Sequence, residues 1–190
     1  MNSNTINLKF ITLISIVILA AFSRLIPHMP NFSPLGAIAL FSAAYFSKKW
    51  QSLLIPIAAV WLSDLVLNNV IYAEYNPTFT FFTEGFYWTY GSYILIALVG
   101  MQLFKKVTMP RVLGGALAST LIFFFVSNLG CYFFDPLYSS DFAGLVNCYI
   151  AGIPFVKATL LGDLFYCALL FGAYELFIQR ALKLKPISNR

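Results

Sequence analysis

The chain has 190 residues, of which 60% are hydrophobic and only 10% charged, with a net charge of +5 and a mean hydropathy of +0.80. Soluble domains carry about a quarter of their residues as charges, so lipid must solvate much of this surface, which excludes an ordinary soluble fold. The basic residues lie between apolar segments and form no single patch, so they read as membrane topology and argue against nucleic acid as a partner.

Six apolar segments follow in chain order, at about residues 8–26, 34–46, 50–67, 85–104, 112–129 and 155–178. A helix needs about 20 residues to cross the hydrocarbon of a bilayer. The first, fourth, fifth and sixth segments meet that length, the second is short and the third marginal. Segments two and three are joined only by Ser47, Lys48 and Lys49, which implies a tight hairpin. The first segment also has the outline of a secretory signal, with Lys9, an apolar run and small residues at Ala20, Ala21 and Ser23. Arg24 and the proline-rich turn after it favour a retained helix.

Pro27, Pro30 and Pro34 impose a stiff reversal after that helix, and Pro34 suits the first turn of the next. The second segment is lined with Gly36, Ala37, Ala39, Ser42, Ala43 and Ala44, small residues that let a neighbouring helix come close. Two long connections, residues 68–84 and 130–154, are rich in aromatics, Asn, Ser and Pro. Their aromatics suit the membrane interface, and loops of that length often act as lids. With no repeat of fixed period, residues 1–190 read as a single transmembrane domain.

Charge placement tests the count of spans. With both termini in the cytoplasm, the inner side holds Lys9, Lys48, Lys49, Lys105, Lys106, Arg111, Arg180, Lys183, Lys185 and Arg190. Arg24 and Lys157 fall toward the outside, where the connections carry Glu74, Glu84, Asp135 and Asp141. This is the asymmetry that cytoplasmic Lys and Arg produce. The expected fold is an all-α integral membrane bundle of six transmembrane helices with both termini cytoplasmic.

Polar groups then gather at one depth. Arg24 ends the first span, Asp64, Asn68 and Asn69 end the third, Ser127 and Asn128 end the fifth, and Asp163 lies about two turns into the sixth. His28 and Asn31 occupy the first outer turn. Intramembrane charges usually meet a partner or a wet cavity. Arg24 paired with Asp64 or Asp163 would lock helices together, whereas an outward-facing cavity would be lined by Arg24, Asn31, Asp64, Asn68, Asn128 and Asp163. Both arrangements can coexist. Glu175 reads as a charge at the end of a helix that reaches the interface.

Catalytic and metal signals are thin. A single histidine and three cysteines without a C-x-x-C pair give no zinc pattern, and no Walker or G-x-S-x-G sequence is present. Asp64 and Asp163 as an aspartyl dyad is the enzymatic alternative; no enzyme, cofactor or metal is expected. Cys131 and Cys148 fall in or beside the same expected outer loop, where a disulfide and two free thiols are both open readings.

The order of a helix ending in Arg24, a proline-rich turn, the helix Pro34-Leu-Gly-Ala-Ile-Ala-Leu-Phe-Ser-Ala-Ala-Tyr-Phe and a third ending Trp61-Leu-Ser-Asp-Leu-Val-Leu resembles the substrate-binding S components of energy-coupling factor (ECF) vitamin transporters. More closely, the chain resembles a small, uncharacterised bacterial inner-membrane family with the pattern Arg-x-x-Pro-His-x-x-Asn-Phe, met here by Arg24, Pro27, His28, Asn31 and Phe32. The resemblance implies a bundle of S-component type in the bacterial cytoplasmic membrane. It also implies a vitamin cavity near the outer surface and uptake of a vitamin-like small molecule, cobalamin or another vitamin or precursor. S components dock on a coupling subunit driven by ATPases through an Ala-x-x-x-Ala face on the first helix. Here Ala20 is followed four residues later by Arg24, and Ala21 by Leu25, so that face is absent and a solitary transporter stays open. Some solitary cobalamin-transporting relatives use a cysteine on cobalt, and Cys131 and Cys148 lie on the matching side. The alternative to uptake is a structural or assembly protein whose buried charges serve packing.

Overall fold

A computed structural model describes residues 3–178, with side chains from 8 to 176. The described residues are all-helical, with no strand. The helices are α1 (Ser3–Phe22, extended by a 3-10 turn Ser23–Leu25), α2 (Leu35–Tyr45), α3 (Lys49–Val66, closing in a π turn Leu67–Ile71), α4 (Phe86–Leu103), α5 (Met109–Phe134) and α6 (Phe142–Ala173, continued by a π turn Tyr174–Ile178). Four stretches are long and apolar enough to cross a membrane: Leu8–Leu25, Lys49–Ile71, Met109–Phe134 and Phe142–Leu176. Their outward residues, among them Leu19, Leu54, Leu117, Phe125 and Leu169, are exposed hydrophobics, as a lipid-facing surface requires.

Helix α2 is different. At 11 residues it is about 16 Å long, roughly half the ~30 Å of hydrocarbon. Every one of its residues is buried, and it packs against all five other helices. Pro34 starts it, because a proline is tolerated where the first-turn N–H has no partner. Its small face permits the packing: a Cβ on Gly100 of α4 would stand 2.9 Å from the Ala43 Cβ. Its last turn reaches one end of the bundle, where Phe41, Tyr45, Phe171 and Tyr174 form an aromatic cluster, and the Tyr45 hydroxyl donates to Glu175 at 2.6 Å. Glu175 therefore holds an internal hydrogen bond as well as marking a helix end. The first turn of α2 lies against Ser119 and Asp163, near the middle of α5 and α6. The helix thus occupies only half the depth of the bundle.

The end at which α2 finishes carries Lys48, Lys49, Lys105, Lys106 and Arg111; the opposite end carries Glu74, Glu84, Asp135 and Asp141. Arg180, Lys183, Lys185 and Arg190 lie outside the described residues. The expected boundaries hold closely for α2, α3 and α4 but not for the last two helices. The long loop expected at 130–154 shrinks to a short connection, because α5 continues to Phe134 and α6 begins at Phe142. Pro154 sits inside α6 and does not precede it. Asp141 caps the new start, its carboxylate accepting the Gly144 N–H at 2.7 Å. Close packing of the extended pair, with Gly152 on Asn128 and the Tyr149 hydroxyl on the Phe125 carbonyl at 2.7 Å, outweighs the local proline signal.

The other long connection folds back on α3. Asn69 donates to the Leu65 and Thr80 carbonyls, each at 2.9 Å, and accepts the Thr80 N–H at 2.7 Å. Trp61 donates to the Phe81 carbonyl at 3.1 Å and stacks on Phe82. Asn69 is thus a staple for the loop.

Candidate functional site

Because α2 stops at mid-depth, the acidic half of the bundle has no central helix. Two hollows occupy that space. The first, of about 270 Å³, has Leu35, Gly36, Ser119 and Asp163 around the start of α2, with Arg24, Leu67, Tyr72, Thr89, Tyr93, Ile96, Phe123 and Thr159 on its walls. The second, of about 220 Å³, lies between α5 and α6 and is lined by Phe124, Ser127, Asn128, Cys131, Gly152, Phe155 and Val156. Asn31, Phe123 and Thr159 border both, so the two are neighbouring chambers.

The proline-rich reversal positions Asn31 at that shared border. Phe32 N–H returns to the Met29 carbonyl at 3.0 Å, with Pro30 second in the turn and Asn31 third at φ 64°. Proline then left-handed asparagine is the residue order such a turn demands. Ser33 and Phe32 press against Gly162 of α6, where a Cβ would meet the Ser33 nitrogen at 2.8 Å. Irregular backbone at membrane depth persists where protein buries it or a cavity wets it. At the mouth, His28 Nδ1 lies 2.7 Å from the Ile26 carbonyl, a geometry in which that nitrogen carries the proton.

Arg24 spans from the end of α1 to α3. Its guanidinium donates to Asp64 at 2.6 Å and to the Ser63 hydroxyl at 3.2 Å, and the Tyr90 hydroxyl donates to the other Asp64 oxygen at 2.6 Å. The pair is mostly shielded, with side chains 16% and 22% exposed. Charge-assisted bonds of this kind are the strong ones. They neutralise Asp64 behind the wall and leave other guanidinium donors of Arg24 beside the first chamber.

Asp163 is 2% exposed and borders that chamber near the first turn of α2. Thr120 donates to one carboxylate oxygen at 2.9 Å. The Ser119 hydroxyl is buried beside it and makes no geometrically good hydrogen bond. Gly36 is required here, since a Cβ would overlap both Ser119 Oγ and Asp163 Oδ1. Tyr93 lies nearly parallel to Phe123, ring centres 5.9 Å apart, giving the chamber a flat aromatic side.

Of the residues expected to line a cavity, Arg24, Asn31 and Asp163 border the first chamber and Asn128 the second. Asp64 stands behind Arg24 and borders neither. Asn68 also borders neither. The π turn that begins at Leu67 presents Leu67 to the chamber, while the Asn68 carbonyl accepts from Asn76 at 3.0 Å. The sequence alone does not mark Ser119, Tyr93 and Thr159 as lining residues, nor Tyr90 and Thr120 as partners of Asp64 and Asp163. Hydroxyls inside apolar helices are ordinary, and only contact with Asp64 or Asp163 marks Tyr90 and Thr120. Cys131 and Cys148 are free thiols, the first exposed at the second chamber and the second buried.

A protein-family model described as "Family of unknown function (DUF6580)" matches residues 4–185. The chain belongs to that family. The match covers nearly all of the chain, so the hollow half-bundle lies wholly within the DUF6580 region. No curated protein and no solved structure matches the chain.

Proposed function

We propose that this DUF6580 protein binds a vitamin-like small molecule in the two chambers and serves its uptake across the bacterial cytoplasmic membrane. The observation that carries the reading is the half-length, fully buried α2, which leaves polar chambers in one half of an otherwise dry bundle. Ligand sites are typically concave, mostly apolar and furnished with a few converging polar groups. Arg24, Asn31, Asn128 and Asp163 are those groups, with Phe123 and Tyr93 as flat apolar surfaces. Asp64 holds Arg24 in place.

The basic end faces the cytoplasm on this reading, by the positive-inside asymmetry, so the chambers lie toward the outside. The proposed bundle is of S-component type, with α2 and α4 completing the set of six. Chambers of about 270 and 220 Å³ sit at or below the low end of the ~300–1,000 Å³ usual for ligand pockets. That size favours a one- or two-ring molecule over cobalamin. Ala20 and Ala21 are buried against the core, so α1 offers no small-residue docking face at that level. This favours solitary action, or docking on an ECF-type coupling subunit through another surface.

A structural role is the second reading, favoured by the closed Arg24–Asp64–Tyr90 network. Thermal unfolding of the purified protein against a panel of small vitamins and precursors separates the two. Ligand that binds only the folded state raises the midpoint by mass action. The uptake reading expects at least one compound to do so, with the shift lost in Asn128→Ala. No shift with any compound would favour the structural role.

A further inference from the structure

The charges around the first chamber do not cancel. Arg24 is matched by Asp64 at 2.6 Å, and the second oxygen of Asp64 is taken by Tyr90. Asp163 has no basic partner among the described residues; the Thr120 hydroxyl donates to it at 2.9 Å and the Ser119 hydroxyl lies against it. The start of α2 adds about half a positive charge nearby, which offsets part of one carboxylate and not all of it. His28 stands at the mouth and spends Nδ1 on the Ile26 carbonyl. Beside Asp163, the Ser119 hydroxyl is 1% exposed and, apart from that carboxylate, has no partner in bonding geometry. A carboxylate and a buried hydroxyl beside it at the bottom of a chamber are the complement of an N–H-bearing cation. The neighbouring chamber carries no ionisable group except the Cys131 thiol, and offers Asn128 among Phe124 and Phe155.

We infer that the hollow selects a bipartite organic cation: a protonated amine or amidine set on Asp163 and Ser119, joined to a flat neutral ring lying along Phe123 toward Asn128. This rests on the uptake reading and names its substrate class. Arg24 serves as a wall group whose charge is spent on Asp64. Anionic vitamins are disfavoured, because they would meet the uncancelled part of the Asp163 charge at the bottom of the chamber.

Benzamidine, benzamide and benzoate share one ring and nearly one shape but carry charges of opposite sign or none. Their binding to the purified protein in nanodiscs is read by ligand-observed saturation-transfer NMR at neutral pH. Benzamidine is expected to bind at least about tenfold more tightly than the other two, the equivalent of one good charge contact. Asp163→Asn is expected to erase that preference, and Asn128→Ala to weaken benzamidine while keeping its lead over benzoate. If Asp163→Asn does not fold, the rank order on the unaltered protein decides. Benzoate binding as well as benzamidine, or benzamide equalling it, with either signal lost in Asn128→Ala, would overturn the cation assignment and leave the chambers as a ligand site. Absence of binding by all three would overturn the assignment and weigh against the uptake reading too.

Discussion

The basic and acidic halves of the bundle share α1 and α3 to α6, but only the basic half has α2 through its centre. There Ile38, Leu40, Phe41, Tyr45 and Phe46 are almost fully buried, and the Tyr45 hydroxyl bonds to Glu175. In the acidic half the same helices enclose Arg24, Asp64, Asp163 and two chambers. A short helix is thus a means of making space. Shortening one of six helices leaves a gap with polar walls at one end and a close-packed core at the other.

The close-packed basic half should be the more sensitive to truncation. Phe41→Ala removes a ring that packs on Tyr45, Phe171 and Tyr174, and the expected loss is about 3–5 kcal/mol of stability. Chemical denaturation in mixed micelles reads it; a loss below about 1 kcal/mol would mean that this half is not tightly packed. Next comes the wall of the acidic half. Asp64→Asn strands the Arg24 guanidinium, and about 3 kcal/mol is expected to go, near the low end for breaking a shielded pair. The double variant Arg24→Met with Asp64→Leu should recover most of that, since neither charge is then left alone. If the double variant is no better than the single one, the pair does more than neutralise itself.

Smaller still is the expected cost of Asn128→Ala. Its side chain donates to the Phe124 carbonyl of its own helix at 2.7 Å and borders a chamber, so stability should change by no more than about 1 kcal/mol. Ligand-induced stabilisation should nevertheless disappear. A large drop in stability would mean that its contact with Gly152 matters more than its place at the chamber. The smallest effect lies at the rim. Hydrogen bonds from the Gly144 N–H and the Ser139 hydroxyl hold the Asp141 carboxyl below its ordinary value of 3.8. A depressed carboxylate stabilises the fold above its unfolded value, and that contribution fades as the pH falls below 3.8 through the folded value. Protection of the first-turn amides of α6 against exchange, relative to their intrinsic rates, should therefore fall in that acid range in the unaltered protein, and already at neutral pH in Asp141→Ala.

Much of this division was legible in the residues. Proline at 34, the run of small residues after it and the three prolines before it mark a short helix after a stiff reversal. Lys and Arg spacing distinguished the two ends. The length of α6 was hidden because Pro154 is a helix breaker in local terms, and only packing of Gly152 on Asn128 shows why the helix runs through it. Arg24 with Asp64 was open to reading, because two opposite charges at similar depth in apolar segments have few other partners. Asn68 lies outside both chambers because a π turn shifts which residue faces inward, and no sequence period records that shift. The absence of a basic partner for Asp163 among the described residues became visible only once Arg24 was seen to be taken.

The sidedness of the hollow can be measured directly. In a background with Cys131, Cys148 and Cys167 replaced by alanine, Thr159→Cys places one thiol at the border of both chambers, and Ala44→Cys places one in the buried α2. A small, membrane-impermeant thiol reagent applied to intact spheroplasts should modify position 159 from outside and leave position 44 untouched. Modification of 159 only from the cytoplasmic face, or of neither position from either face, would contradict an outward-facing, water-filled half-bundle.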